Sequence, residues 1–219
     1  MLASKIVEVE SGFDSLSFVK EVATSVQDLE LKARVAIISD QLHKYLGRPY
    51  LQNLKILMEI LGPENPAETG MFTEYYWVMP IASYVEKHGL DHPEISLSAI
   101  EEITKRNTGE YAIRPYLTHH PKTTLKKIKT WAKHSNFHVR RLASEGVRPR
   151  LPWAAKLDTF IDDPTPVFPI LRILRDDPIK YVQKSVANCL HDIFKDNPDL
   201  AIEEVSHGSV MLPLLDNGS

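Results

Sequence analysis

Cysteine is almost missing from this chain. Cys189 is the only one in 219 residues, so neither a disulfide framework nor a cysteine-based zinc site can be assembled. A single unpaired thiol is at home in a reducing environment, and the expected compartment is cytoplasmic. Long apolar runs are missing too. The longest are a few residues, as in Ile56-Leu57-Met58, too short to cross a bilayer, so no membrane partner is expected. The opening MLASKIVEVESG lacks the basic region and continuous apolar stretch of a signal peptide. No glycine-rich phosphate loop, HExxH or GxSxG is present, which removes the common nucleotide, zinc-peptidase and serine-hydrolase signatures. His119-His120 lacks a third ligand at suitable spacing, and adjacent side chains on a helix diverge, so no metal is expected.

What is present is an uneven distribution of charge. Residues 105–156 contain thirteen Lys and Arg (Lys105, Arg106, Arg114, Lys122, Lys126, Lys127, Lys129, Lys133, Arg140, Arg141, Arg148, Arg150, Lys156) but only two acids, Glu110 and Glu145. The window carries +11 and the other 167 residues −14, a segregation that the overall −3 conceals. A solvated lysine-rich surface is the plain reading of a basic window. This one extends through several elements and is followed by acid-rich sequence, which favours a polyanion such as nucleic acid on one face.

The hydrophobic pattern is helical throughout. Leu31, Val35, Ile38, Leu42 and Tyr45 form one apolar stripe, and Leu51, Leu54, Leu57, Met58 and Leu61 form another that stops at Gly62-Pro63. The segment 13–28 places Phe13, Leu16, Val19 and Val22 inward, 63–70 reads as a loop, and 71–87 reads as helix broken at Pro80. No sustained polar–apolar alternation marks a strand. Leu125, Ile128, Trp131 and Val139 recur 43 residues later as Phe168, Leu171, Leu174 and Val182, with the turns His134-Ser135-Asn136 and Asp177-Pro178-Ile179 also matched. A weaker upstream copy places Asp91-His92-Pro93 before Ile95, Ala99 and Ile103. A period near 43 with two helices per unit predicts an all-α fold of HEAT-like helical repeats stacked into a curved alpha-solenoid, one domain over 1–219. An ordinary helical bundle is the alternative. The predicted seam between units is Leu125, Ile128, Leu142, Phe168, Leu171, Val182 and Val186.

Lys122, Lys126, Lys129 and Lys133 fall on one helical face and can track phosphates without reading sequence. The next helix carries Arg140 and Arg141, and the run Arg148-Pro149-Arg150-Leu151-Pro152-Trp153 reads as an extended, proline-stiffened hook offering two arginines and an indole. Trp153 has two readings at this stage, a base-stacking surface or a core residue. Lys184 continues the basic set on a later helix. Glu110 lies four residues from Arg106 and Arg114, and Glu145 lies four from Arg141 and three from Arg148, spacings that also describe ordinary helical ion pairs. Asp192, Asn188 and Ser185 make a polar stripe on an apolar helix, usually a solvent face or a buried network.

The stretches GEYAIRPYL (109–117), FHVRRLASEGVRPRLPWA (137–154) and DDPIKYVQKSVANCLHDIFKDNPDL (176–200) resemble the AlkC-type DNA alkylation repair glycosylases. LELKARV (29–35) and LGPENP (61–66) fit as well, and the resemblance covers nearly residues 12–200. It implies a HEAT-like stack holding duplex DNA on its basic face and hydrolysing the N-glycosidic bond of 3-methyladenine, with 3-methylcytosine as a further substrate. By the same likeness Glu110, Glu145 and Asp192 match acids at the lesion-facing site, while Arg148, Arg150 and Trp153 belong to the DNA-contacting motif. It implies no metal and no organic cofactor. The expected partner is alkylated duplex DNA, bound by a monomer.

Two departures from the pattern stand out. Gln183 and Lys184 occupy positions where the family typically shows two arginines. The family continues with further helical sequence where this chain reads IEEVSHGSVMLPLLDNGS, so the last repeat is expected to be incomplete after about residue 202. A DNA-binding relative without catalysis and a protein–protein scaffold are the competing functional classes.

Overall fold

The computed structural model describes residues 1–68 and 75–208, with side chains to 206. Positions 71–74 of the expected aromatic helix, and Val210, Met211, Leu212, Pro213, Leu214 and Leu215 of the expected incomplete repeat, lie outside the described residues. Among the described residues the only regular structure is helix. The chain divides into two units, 1–127 and 128–219, and the division falls within one helix.

The first unit contains α1 (Leu2–Val9), α2 (Ser15–Ser25), α3 (Leu31–Leu46), α4 (Tyr50–Glu59), α5 (Met79–His88), α6 (Pro93–Thr104) and α7 (Arg114–His119), then enters α8 (Pro121–Trp131). A short 3-10 turn, Tyr76–Val78, leads into α5. Helix ends follow local chemistry. The Asp14 carboxylate accepts from the Ser17 N–H at 3.0 Å to start α2. Gly47, at φ +61°, closes α3 in the left-handed conformation. Pro80, Pro93, Pro115 and Pro121 each stand in the first turn of a helix, where a missing N–H leaves no bond unmade. Pro80 therefore opens α5 and does not break a longer helix.

The apolar stripes point inward along most of their length, with phase errors near their starts. Phe13 and Phe18 are buried, whereas Leu16 is 84% exposed and Val19 52%. Leu31, Leu51 and Ile95 are likewise outside, while Leu42, Leu54, Leu57, Ala99 and Ile103 are inside. α3 packs on α2 and α5, and α6 packs on α4 and α5.

The second unit contains the end of α8, then α9 (Phe137–Glu145), α10 (Asp158–Asp162), α11 (Phe168–Leu174), α12 (Lys180–Asp196) and α13 (Pro198–Gly208). The 43-residue repeat is visible directly: α9 begins at 137 and α12 at 180, and α9 packs along α12. Ile128, Leu142, Phe168, Leu171, Val182 and Val186 are buried as the repeat requires, and only Leu125 is partly exposed. The repeat is HEAT-like in its paired helices, with one difference that builds the site. α12 runs for 17 residues and α9 for only 9. Asn136 caps α9 at its start. Gly146 and Pro149 end it early, and the chain opposite the last turns of α12 becomes the loop Arg148–Trp153.

Candidate active site

The loop that replaces the rest of α9 delivers Arg148 into the seam with α12. Its Nε donates to Asp192 Oδ2 at 2.8 Å and its Nη1 donates to Glu145 Oε1 at 2.7 Å. All three residues are buried. Burial works against the charge on Arg148, but hydrogen bonds to Asp192 and Glu145 outweigh it and hold its pKa above the ordinary arginine value. The second oxygen of Glu145 accepts from Ser185 Oγ on α12 at 2.6 Å, and Ser144 Oγ donates to Ser185 at 2.7 Å. Arg141 adds an ion pair to Glu145 at 3.5 Å and stacks over the Tyr181 ring at 4.8 Å. Asp192 Oδ1 differs from the other carboxylate oxygens here, because its contact among the described residues is an ion pair with the Lys195 ammonium at 3.6 Å, longer than a hydrogen bond. Among the described residues, Asp192 thus presents one oxygen fixed by a buried guanidinium and one without a close hydrogen bond. In a medium of low dielectric such a carboxylate can stabilise a nearby cation strongly or accept a proton from water.

Glu110 belongs to the first unit. It sits in the turn between α6 and α7, not on a helix, so its expected four-residue pairing with Arg106 does not form. Arg106 instead binds Glu102 at 3.0 Å and the Gly62 carbonyl at 2.8 Å. The Glu110 side chain is buried and accepts from Thr108 Oγ1 at 2.9 Å. Gly109 explains why glycine precedes it. A Cβ there would lie 2.5 Å from Ile100 Cγ2 and 2.7 Å from Thr104 Oγ1, so only glycine lets the turn close on α6. Beside it, Lys32 Nζ lies 4.6 Å from the centre of the Tyr111 ring.

The family model for DNA alkylation repair enzymes matches residues 106–210, the stretch that contains Glu110, Glu145, Arg148 and Asp192. The solved structure of Pseudomonas fluorescens alkylpurine DNA glycosylase AlkC, bound to DNA containing an abasic site analogue, superposes with a TM-score of 0.83 at 34% identity over 94% of this chain. The chain belongs to the AlkC-type DNA alkylation repair family. A Bacillus subtilis protein, YhaZ, is 40% identical over 173 residues, which is 79% of this chain and 46% of that protein. The match to the Pseudomonas structure covers 55% of its chain, so this AlkC-type chain spans about half the length of these relatives.

The basic residues expected to meet DNA divide into two groups in this family member. Arg140 uses four of its five N–H groups internally, two on Asp177 (2.6 and 3.1 Å) and two on the carbonyls of His134 and Ser135. Arg150 is clasped by both oxygens of Asp196 at 2.5 and 2.6 Å, and these bonds hold the Asp196 carboxyl below the usual range. Residues 148–153 are thus a folded turn, not an extended hook; Arg148 is buried, and Arg150, partly exposed, is held by Asp196. The physical reason is the C-terminal part of α12, where Asp192 and Asp196 stand one turn apart and take one arginine each. Lys122, Lys126, Lys129, Lys133 and Lys184 remain on the surface. Trp153 is 70% exposed and adopts φ +60°, which a bulky side chain rarely does. Of its two readings the structure gives the exposed one. Asp177 and Asp196 are the functional neighbours that sequence reasoning missed. Their signal was spacing: each lies 37 or 46 residues from its arginine, close to the 43-residue repeat.

Proposed function

We propose that this chain is a DNA glycosylase that removes cationic alkylated bases, chiefly 3-methyladenine and also 3-methylcytosine, from duplex DNA. The observation that carries the reading is the buried Glu145–Arg148–Asp192 constellation in a chain so similar to an alkylpurine DNA glycosylase. A methyl group at N3 leaves the base positively charged, so it departs as a neutral molecule when the N-glycosidic bond breaks and takes the bonding electrons. Positive charge then develops on the deoxyribose, and a fixed carboxylate stabilises it. Water adds to the sugar carbon, loses a proton to a carboxylate or to solvent, and leaves an abasic site. This step requires neither a metal nor an organic cofactor.

Asp192, whose Oδ1 has no close hydrogen bond among the described residues, is the stabilising group proposed in the second unit, with Glu145 as its anchor through Arg148. Glu110 is the carboxylate proposed in the first. Phosphate contact is assigned to the exposed lysines Lys122, Lys126, Lys129, Lys133 and Lys184 and stacking to Trp153. The protein acts as a monomer in the cytoplasm.

The test is base release from duplex DNA treated with a methylating agent, with free 3-methyladenine measured for the unaltered chain and for Asp192→Asn. The unaltered chain is expected to release base, and Asp192→Asn to lose roughly 10²-fold or more of that rate. Salt-sensitive DNA binding without release would overturn catalysis in favour of a DNA-binding role alone.

A further inference from the structure

We infer that Ser185 is a positioning residue for this site: its hydroxyl fixes Glu145, and through Arg148 it fixes the open oxygen of Asp192. The inference rests on the glycosylase reading above and deepens it.

The argument begins with the two ends of one helix segment. Ser185 and Asp192 are seven residues apart on α12, so they share a face and their Cα atoms are separated by about 10 Å along the axis. That gap is bridged by two charged side chains from other parts of the chain. Ser185 Oγ donates to Glu145 Oε2 at 2.6 Å, Glu145 Oε1 accepts from Arg148 Nη1 at 2.7 Å, and Arg148 Nε donates to Asp192 Oδ2 at 2.8 Å. The circuit leaves α12, crosses α9 and the following loop, and returns to α12 two turns later. The rigid helix closes it, so no member can rotate without breaking a bond to the next.

Every member is buried, and a buried acceptor that loses its donor has no water to replace it. Without the Ser185 hydroxyl, Glu145 Oε2 loses the donor that fixes it. The carboxylate is then free to turn toward Arg141, already 3.5 Å from its other oxygen. Arg148 would follow, and Asp192 would lose the bond that aims Oδ1. Ser144 Oγ, 2.7 Å from Ser185 Oγ, orients this hydroxyl from the α9 side. Ser185 touches none of the reacting atoms in this scheme and acts through Glu145.

The experiment compares the unaltered chain, Ser185→Ala, Ser185→Thr and Val182→Ala. Val182 is fully buried on the same helix, one turn before Ser185, and its side chain is purely apolar. Single-turnover release of 3-methyladenine from methylated duplex DNA, DNA affinity and thermal unfolding are measured for each. Ser185→Ala is expected to slow release by roughly 10- to 100-fold, the scale of one hydrogen bond to a charged group, with DNA affinity unchanged. Ser185→Thr keeps the hydroxyl and should recover most of the rate. Val182→Ala should unfold more easily yet release base normally while folded. If Ser185→Ala does not fold, Ser185→Cys, which keeps the volume but donates weakly, takes its place. Release by Ser185→Ala equal to that of the unaltered chain, or an equal loss in Val182→Ala, overturns the inference and leaves the glycosylase reading standing. No release by the unaltered chain overturns that reading and the role of Ser185 with it.

Discussion

Arg148 has a different task from the one its neighbours in sequence suggest. Flanked by Pro149, Arg150 and a tryptophan, it reads as a phosphate ligand, yet it is buried between Glu145 and Asp192. Removing it would strand two carboxylates in the seam. Arg148→Ala is therefore expected to destabilise the fold by about 3–5 kcal/mol, as breaking a buried pair from one side does, measured by urea unfolding. A phosphate-binding role alone would leave stability almost unchanged. Glu110 is tested at the same scale. Glu110→Gln keeps the bond from Thr108 and removes the charge, and base release should fall by roughly 10²-fold or more if the charge serves the reaction. Unchanged release would reduce Glu110 to a structural acid of the turn. Its burial was not legible in the sequence, because Arg106 and Arg114 at helical spacing suggested a surface ion pair, and the backbone there is a turn.

Elements were easier to read than single side chains. The 43-residue repeat predicted which residues of α8, α9, α11 and α12 face inward, and it did so because a HEAT-like unit must bury the same face each time. Leu171, only 2% exposed on α11, tests the phase. Leu171→Ala should cost roughly 2–5 kcal/mol in denaturant unfolding, and a loss below roughly 0.5 kcal/mol, typical of exposed sites, would contradict it. Phase was lost where stripes start near helix ends, as at Leu16 and Ile95, since a first turn has fewer neighbours to cover it. The α3–α5 seam adds a pH effect. His88 stacks on His43 with ring centroids 4.1 Å apart. Burial, then the nearby His43, lower its pKa from 6.5; Asp40 opposes this and Lys87 reinforces it. The folded chain thus binds this proton less readily than the unfolded one. Its contribution is full above pH 6.5 and is lost as pH falls through that value toward the folded pKa. Unfolding midpoints at about pH 7.5 and about pH 5.5 should show the loss, and His88→Gln should flatten it.

At the scale of the whole molecule, the segregated charge is partly neutralised inside the fold. Acids from outside the basic window meet Lys105, Arg106, Lys127, Arg140, Arg148 and Arg150. The exposed remainder is dominated by lysine. Lysine binds phosphate as a point charge and reads no base, which suits the proposed search of any sequence for damage. Duplex DNA affinity is therefore expected to fall steeply with salt. Replacing Lys122, Lys126 and Lys129 by Gln should reduce the log–log slope by about 0.9 for each phosphate that is no longer neutralised. A slope unaffected by all three changes would place the DNA-binding face elsewhere.

By itself the sequence determined the helical class, the repeat, most of the buried faces and the position of the basic window. These properties depend on periodicity and composition, which are local or recur at fixed spacing. Tertiary structure alone decided which charges are available. Whether an arginine faces a phosphate or a carboxylate depends on what lies opposite, and for Arg140, Arg148 and Arg150 the opposing acids come from one repeat further along the chain. The early end of α9 was just as hidden. Gly146 and Pro149 advertise a stop, but only the packed α12 shows that the stop makes room for a guanidinium between two buried carboxylates. A charge and its neutralising partner contribute the same symbols to a sequence whether they meet or not, and it is the fold that brings them within hydrogen-bonding distance.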